Sequence, residues 1–98
     1  MSPGFFIRPK AEQDLVEARD WYEAHRNGLG QEFLSSVEDT LGRVRESPES
    51  YPIIYRHVRW ARLRRFPDLV YYRIAEDRVE VLAVLHGSRH PRTWRSRL

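Results

Sequence analysis

"LVYYRIAEDRVEVLAVLH", residues 69–86, decides the architecture. Valine, isoleucine and tyrosine dominate the first half and valine with leucine the second, and such β-branched and aromatic side chains fit a pleated, half-buried surface. The polar "EDR" at 76–78 predicts a tight reversal, so the stretch reads as two antiparallel strands. Alternation predicts that Val70, Tyr72 and Ile74 share one face of the first strand. On the second, Val79, Val81, Ala83 and Leu85 share the face toward a helical layer, and Leu82, Val84 and His86 the opposite one.

Working toward the amino terminus, Val58 to Phe66 mixes apolar residues with arginine without a helical stripe, and "PD" at 67–68 turns it into the next strand. The three strands form an antiparallel meander. "SPESYP" at 47–52 separates them from a helix over about Gln31 to Glu46, with Phe33, Val37, Leu41 and Val44 on one face, Leu34 beside them, and Pro48 as its stop. Before that, "RNGLG" at 26–30 breaks the chain, since Gly28 can take a left-handed conformation. An earlier helix runs from Lys10 to about His25, with Pro9 in its first turn and Ala11, Leu15, Ala18 and Tyr22 at helical spacing. Asp14, Glu17 and Arg19 lie off that line, and Trp21 broadens the apolar face. "GFFIR" at 4–8 suits a first strand. The expected order is β-α-α-β-β-β. It is an α+β fold, with a helical hairpin on one face of a mainly antiparallel four-stranded sheet and residues 1–98 as a single domain.

Composition narrows the chemistry. The chain has no cysteine, so neither disulfides nor thiolate-bound zinc can brace it, as suits an ordinary intracellular protein. "MSPGFFIRPK" has too short an apolar run for a signal peptide, and Val81 to Leu85 is far below a membrane span, so a soluble cytoplasmic protein with no membrane contact is expected. A net charge of +3 conceals an asymmetry. Residues 1–50 carry ten acids against six bases, a net of −4; residues 51–98 carry four acids against eleven bases, a net of +7, and all eleven are arginine. Such a cationic half attracts nucleic acid or an acidic protein segment, and the planar guanidinium fork grips phosphate or carboxylate through two bonds.

Alternation pairs Arg62 with Arg64 and sets Arg59 with Arg65 on the other side, while Arg89, His90, Arg92, Arg95 and Arg97 follow in the tail. One sheet face is expected under helices and the other ringed by cations. His86 and His90 are four residues apart, but Gly87 and Pro91 interrupt any helix between them and no carboxylate completes a ligand set even with His57, so no metal or other cofactor is expected. The carboxylate pairs Asp14/Glu17 and Glu38/Asp39 read as solvated helix surface. RNA cleavage is the sharper enzymatic option: His86 or His57 could move protons while Arg89, Arg65 or Arg64 hold phosphoryl oxygens. The blander reading has His86 capping the exit turn.

"AEQDLVEARDWYE", "GLGQEFLSSVEDTL", "SPESYP", "VRWARLRRFPDLVYYRI" and "VEVLAVLHGSRHPRTW" together resemble, in order, the ParE/RelE toxin superfamily of bacterial type II toxin–antitoxin systems. The resemblance implies the same β-α-α-β-β-β fold. It also implies neutralisation by a cognate antitoxin whose disordered, often acidic segment folds over the toxin. RelE-like members cut messenger RNA on the ribosome with a cluster of Lys and Arg and usually a Tyr near the C-terminus; in that reading His86, Arg89 and Arg65 would be the catalytic residues. ParE-like members, the plasmid-stabilisation toxins, instead inhibit DNA gyrase. Here the only lysine, Lys10, opens the first helix, and no Tyr follows Pro91. Arginine stays protonated and is a poor proton carrier, so the ParE-like reading is favoured. Arg59, Trp60, Arg62, Arg64, Arg92 and Trp94 would then form the partner-binding surface.

Overall fold

The computed structural model describes residues 4–98, so the first three residues of the stretch read for a leader lie outside the described residues. Chain order runs β1 (Gly4–Ile7), α1 (Pro9–His25), α2 (Leu29–Glu46), β2 (Ile53–Tyr55), β3 (Val58–Arg62), β4 (Asp68–Ala75), β5 (Arg78–His86) and α3 (Arg92–Arg95). One sheet has the order β1-β5-β4-β3-β2, with β1 parallel to β5 and every other pair antiparallel. The helical hairpin and the mainly antiparallel sheet are as expected, but there are five strands. The additional one, β2, has only three residues, too few for an alternation signal. What reads as a single strand from Val58 to Phe66 stops at Arg62, because the chain bends over 64–67 and Arg65 is left-handed (φ 69°). The short α3 in the tail was also not anticipated.

Turn chemistry fixes the hairpins. Glu76 and Asp77 take φ of 51° and 62° between the paired residues Ala75 and Arg78, the two-residue geometry that matches strand twist. At the β2–β3 turn Arg56 is likewise left-handed (φ 52°). Gly28 (φ 86°) precedes α2, whose first amides are capped from the other helix: the Glu23 carboxylate accepts from the Gly28 and Gly30 N–H groups, both at 3.0 Å. These bonds hold Glu23 below the usual carboxylate range.

Both sheet faces are buried. Under the helices, Phe33, Val37 and Val44 of α2 meet Ala61, Val70, Tyr72, Val79 and Val81, while Phe66 packs edge-to-face on both Tyr22 and Phe33. Burying a side chain such as Phe33 contributes roughly 2–3 kcal/mol. On the far face lie Val58, Leu69, Tyr71, Leu82, Ala83, Leu85 and Trp94. Trp94 of α3 stacks on Tyr71 with ring centroids 5.0 Å apart, so α3 acts as a lid on this second layer. The far face is therefore not ringed cation over bare sheet; it is an apolar layer with arginines at its border.

A bulge corrects the facing of β5. Tyr71 pairs with Ala83 but Tyr72 pairs with Val81, which leaves Leu82 as the extra residue. Alternation reverses at that point. Val79 and Val81 lie under the helices as expected, whereas Ala83 and Leu85 join Leu82 on the far face, and Val84 and His86 move to the helical side.

Candidate functional site

The bulge brings the end of β5 against α1. There a cavity of about 280 Å³ is lined by Asp14, Glu17, Ala18, Trp21, Tyr22, Asp68, Val84, Leu85, His86 and Arg89. Asp68, which reads as a turn residue in the sequence, opens β4 opposite His86 and is only 3% exposed. The Tyr22 hydroxyl donates to its Oδ1. Burial pushes the Asp68 carboxyl up, against the opposing pull of the Tyr22 hydrogen bond and the nearby His86. Burial and the Asp68 carboxylate together raise the Tyr22 hydroxyl as well.

His86 Nδ1 accepts from the Ser88 backbone N–H at 3.0 Å, which leaves Nε2 to carry the ring's proton when the imidazole is neutral. Ser88 Oγ lies 2.7 Å from the same Nδ1, and the Arg89 N–H donates to the His86 carbonyl at 3.0 Å, so the exit turn holds both rim residues. Gly87 packs tightly within it: a Cβ there would approach the Pro67 carbonyl oxygen to 3.1 Å, so any larger residue would press on that carbonyl.

Asp14 is not solvated helix surface, as its spacing suggests. It is 6% exposed and carries a two-point ion pair with Arg97, 83 residues away, at 2.6 Å and 3.0 Å. Its Oδ2 also accepts from the Val84 N–H at 3.0 Å, and Arg97 donates to the Leu82 carbonyl at 3.1 Å. The ion pair thus holds backbone groups at the bulge residue Leu82 and at Val84 just beyond it. Trp21, expected in the core, is 58% exposed and lies on the ring of His25 (centroids 3.9 Å apart) at the cavity wall.

The remaining sequence-derived residues do not form one cluster. His86 and Arg89 share the cavity rim, but Arg65 is bonded to Glu32 of α2. Arg64 stands beside it at α2, its carbonyl accepting from the Ser36 hydroxyl, and is not paired with Arg62 on a sheet face. Arg59 lies on the helical side and clamps the preceding loop through the Glu49 and Tyr51 carbonyls. Trp60 is half-buried against Tyr71, Arg62 and Arg92 are exposed, and Trp94 is buried. Among the described residues, Arg65, Arg73 and Arg97 of the carboxyl-terminal half are paired with carboxylates, and Arg56, Arg59, Arg62, Arg64, Arg78, Arg89, Arg92 and Arg95 are not. Three of the latter pack on aromatic rings: Arg95 and Arg56 lie 4.1 Å and 5.1 Å from the centroid of Tyr55, and Arg78 lies 4.9 Å from that of Phe6.

Sequence reading did not find Tyr22, Asp68 and Arg97 as site residues. Tyr22 carries only a core signal, Asp68 only a turn signal, and Arg97 is one tail cation among several. Tyr22 of α1 meets Asp68 of β4 and Arg97 meets Asp14 through the return of the tail, and neither long-range contact leaves a local pattern.

This fold and its polar end define a class: a small α+β domain with a helical hairpin on a five-stranded sheet and an arginine-rich carboxyl-terminal edge. A family model described as the ParE toxin of the type II toxin–antitoxin system parDE matches residues 5–91, and the chain belongs to that family. Toxin ParE2 of Mycobacterium tuberculosis, from strains CDC 1551 and H37Rv alike, is 30% identical over 81 residues, covering 82% of this chain and 77% of the relative. A solved chain titled as a chromosomal ParDE system from P. aeruginosa shares the fold, with a TM-score of 0.64 at 20% identity over 87% of this chain and 96% of that one. These matches place the chain on the ParE side of the superfamily rather than the messenger-RNA-cleaving side.

Proposed function

We propose that this ParE-family toxin, when free of its antitoxin, arrests growth by inhibiting DNA gyrase in the cytoplasm. In that reading its arginine border docks on the enzyme–DNA assembly. The support is the set of exposed guanidiniums at Arg56, Arg62, Arg64, Arg92 and Arg95, which have no carboxylate partner among the described residues. A guanidinium without an internal partner keeps its full capacity for phosphate or an acidic protein surface. Trp60, half-exposed on the far face of β3, the strand that ends at Arg62, supplies an aromatic anchor of the kind on which interface energy concentrates. Trp94 contributes from beneath, by holding α3 and therefore Arg92 and Arg95 in place.

Purified toxin added to bacterial DNA gyrase and relaxed plasmid tests this directly. Supercoiling is expected to stop in a dose-dependent way and to recover when antitoxin is added. Undiminished supercoiling at excess toxin, with translation failing first after induction in cells, would reject the gyrase target.

A further inference from the structure

Among the described residues three carboxylates are buried: Asp14, Asp68 and Glu80, at 6%, 3% and 7% exposure. Two have guanidinium partners. Asp14 holds Arg97, and Glu80 holds both Arg8 at 3.0 Å and Arg73 at 2.8 Å. Asp68, the most buried, accepts the Tyr22 hydroxyl, but among the described residues no Lys, Arg or His nitrogen comes within 4.0 Å of it. A buried carboxylate left without a counter-ion is costly, and natural folds supply one. Here the place for it is open, because Asp68 lines the cavity between α1 and the end of β5.

The rest of the lining describes what would enter. Ala18 and Val84 offer an apolar channel, and the exposed indole of Trp21 stands at the wall. Such a surface suits an aliphatic stem and, through its ring face, a cation. Asp14, Glu17 and Asp68 face Arg89 and His86 across the opening; with Asp14 held by Arg97, the cavity stays acidic on a chain of net charge +3.

We propose that this cavity receives one basic side chain, an arginine or lysine, from the antitoxin, with its stem along Trp21 and its charged head on Asp68. The inference rests on an antitoxin being the partner, which family membership supplies. It adds to the usual direction of charge complementarity, in which acidic antitoxin residues meet toxin arginines. At this one point the signs are exchanged. Arg89 at the rim is placed to take a carboxylate next to the incoming base, so the contact would read a basic–acidic pair on the partner.

The experiment measures affinity of the full-length toxin for the antitoxin encoded beside it, using wild type, Asp68→Asn and Trp21→Ala. Every antitoxin Lys and Arg is then replaced in turn by alanine. Asp68→Asn is expected to weaken binding at least tenfold, the order found when one member of a buried charge pair is removed. A single antitoxin base should lose affinity on replacement against wild type but not against Asp68→Asn. Trp21→Ala is a surface change and folds even if Asp68→Asn does not; it should weaken binding several-fold and reduce the effect of the same antitoxin base. Binding of both toxin variants within twofold of wild type, or the lack of any coupled base, overturns the proposal while leaving the antitoxin reading intact. Coupling of Asp68 to Arg89 of its own chain, seen as equal losses in Asp68→Asn, Arg89→Ala and the double variant, also overturns it. No binding by wild-type toxin would instead remove the antitoxin reading itself.

Discussion

Asp14 on α1 and Arg97 at the end of the tail face each other through two hydrogen bonds, and together they hold the Leu82 carbonyl and the Val84 N–H of β5. The first helix, the bulge and the carboxyl terminus are joined at this point. Arg8 adds a second tie by donating to the Arg97 carbonyl.

Replacing Arg97 by alanine leaves Asp14 buried and unpaired beside a backbone group. A loss of about 3 kcal/mol is expected, the lower part of the range for breaking a buried pair from one side. For a domain with a total stability of roughly 5–10 kcal/mol this is severe. Urea unfolding of Arg97→Ala, Asp14→Asn and the double variant checks it. The double variant should lose clearly less than the sum of the singles, because both singles break the same pair.

The hairpin angle is set by a close approach at Gly30. A Cβ there would come within 2.8 Å of the Arg19 carbonyl oxygen and 3.0 Å of Glu23 Oε1. Backbone oxygen cannot swing aside, so Gly30→Ala must push α1 and α2 apart and disturb the Glu23 cap. About 1–3 kcal/mol of destabilisation is expected, as for other overpacked sites. Gly42→Ala, where a Cβ meets nothing within 4 Å, should instead be neutral or stabilising by roughly 0.5–1 kcal/mol through helix propensity. The thermal midpoint of Gly30→Ala should therefore fall, while that of Gly42→Ala should hold or rise.

Much of the fold is legible from local pattern. The 3.6-residue stripe Phe33, Val37, Val44 and the alternation Val70, Tyr72, Ile74 each report a face that one element can define alone. The bulge does not, because Leu82 is an extra residue only relative to β4. A strand read alone carries no sign that its parity reverses, and this is why Val84 and His86 fall on the wrong face by alternation. Asp14 reads as solvent-facing for a related reason: its partner is 83 residues away, and no helical period records it. The arginine asymmetry is legible, but which guanidiniums are already bonded to carboxylates is a property of the assembled molecule.

Asp68 gives a pH dependence of defined sign. Its folded-state carboxyl is raised above the ordinary 3.8, so the folded protein holds that proton more firmly than the unfolded chain does. The stabilisation is fully present below the ordinary value and is lost as pH rises through the folded one. Glu23 acts oppositely: lowered when folded, it adds stability above the ordinary carboxyl range that disappears as pH falls through its folded value. Asp14, Glu17, Tyr22, His86 and Arg89 line the cavity with Asp68, and the tail's Arg97 is bonded to Asp14, so the useful quantity is a difference between variants. Asp68→Asn should be about 1 kcal/mol more stable than wild type near neutral pH, where it replaces a desolvated charge with a neutral isostere. The advantage should vanish in acid. Parallel denaturation series across pH check this, and a uniform loss of stability in Asp68→Asn would show instead that its charge is compensated in the free toxin.

The arginine border yields a prediction that separates docking from folding. Arg62 and Arg92 are exposed and, among the described residues, bonded to no carboxylate, whereas Arg65 is equally exposed but paired with Glu32. Reversing charge at Arg62 and Arg92 together should leave stability within about 0.5 kcal/mol of wild type, since exposed sites without packing roles contribute little. The same pair of changes should weaken gyrase inhibition at least tenfold, because like charges would then face the acidic surface being approached. Arg65→Glu costs an exposed ion pair and at most about 1 kcal/mol, and it should change inhibition far less. Inhibition by wild type should also fall as salt is raised from low to physiological concentration, and the Arg62/Arg92 variant should show a shallower dependence. Supercoiling assays over a salt series with all three proteins test the set, and equal inhibition by all three would exclude this border as the docking surface.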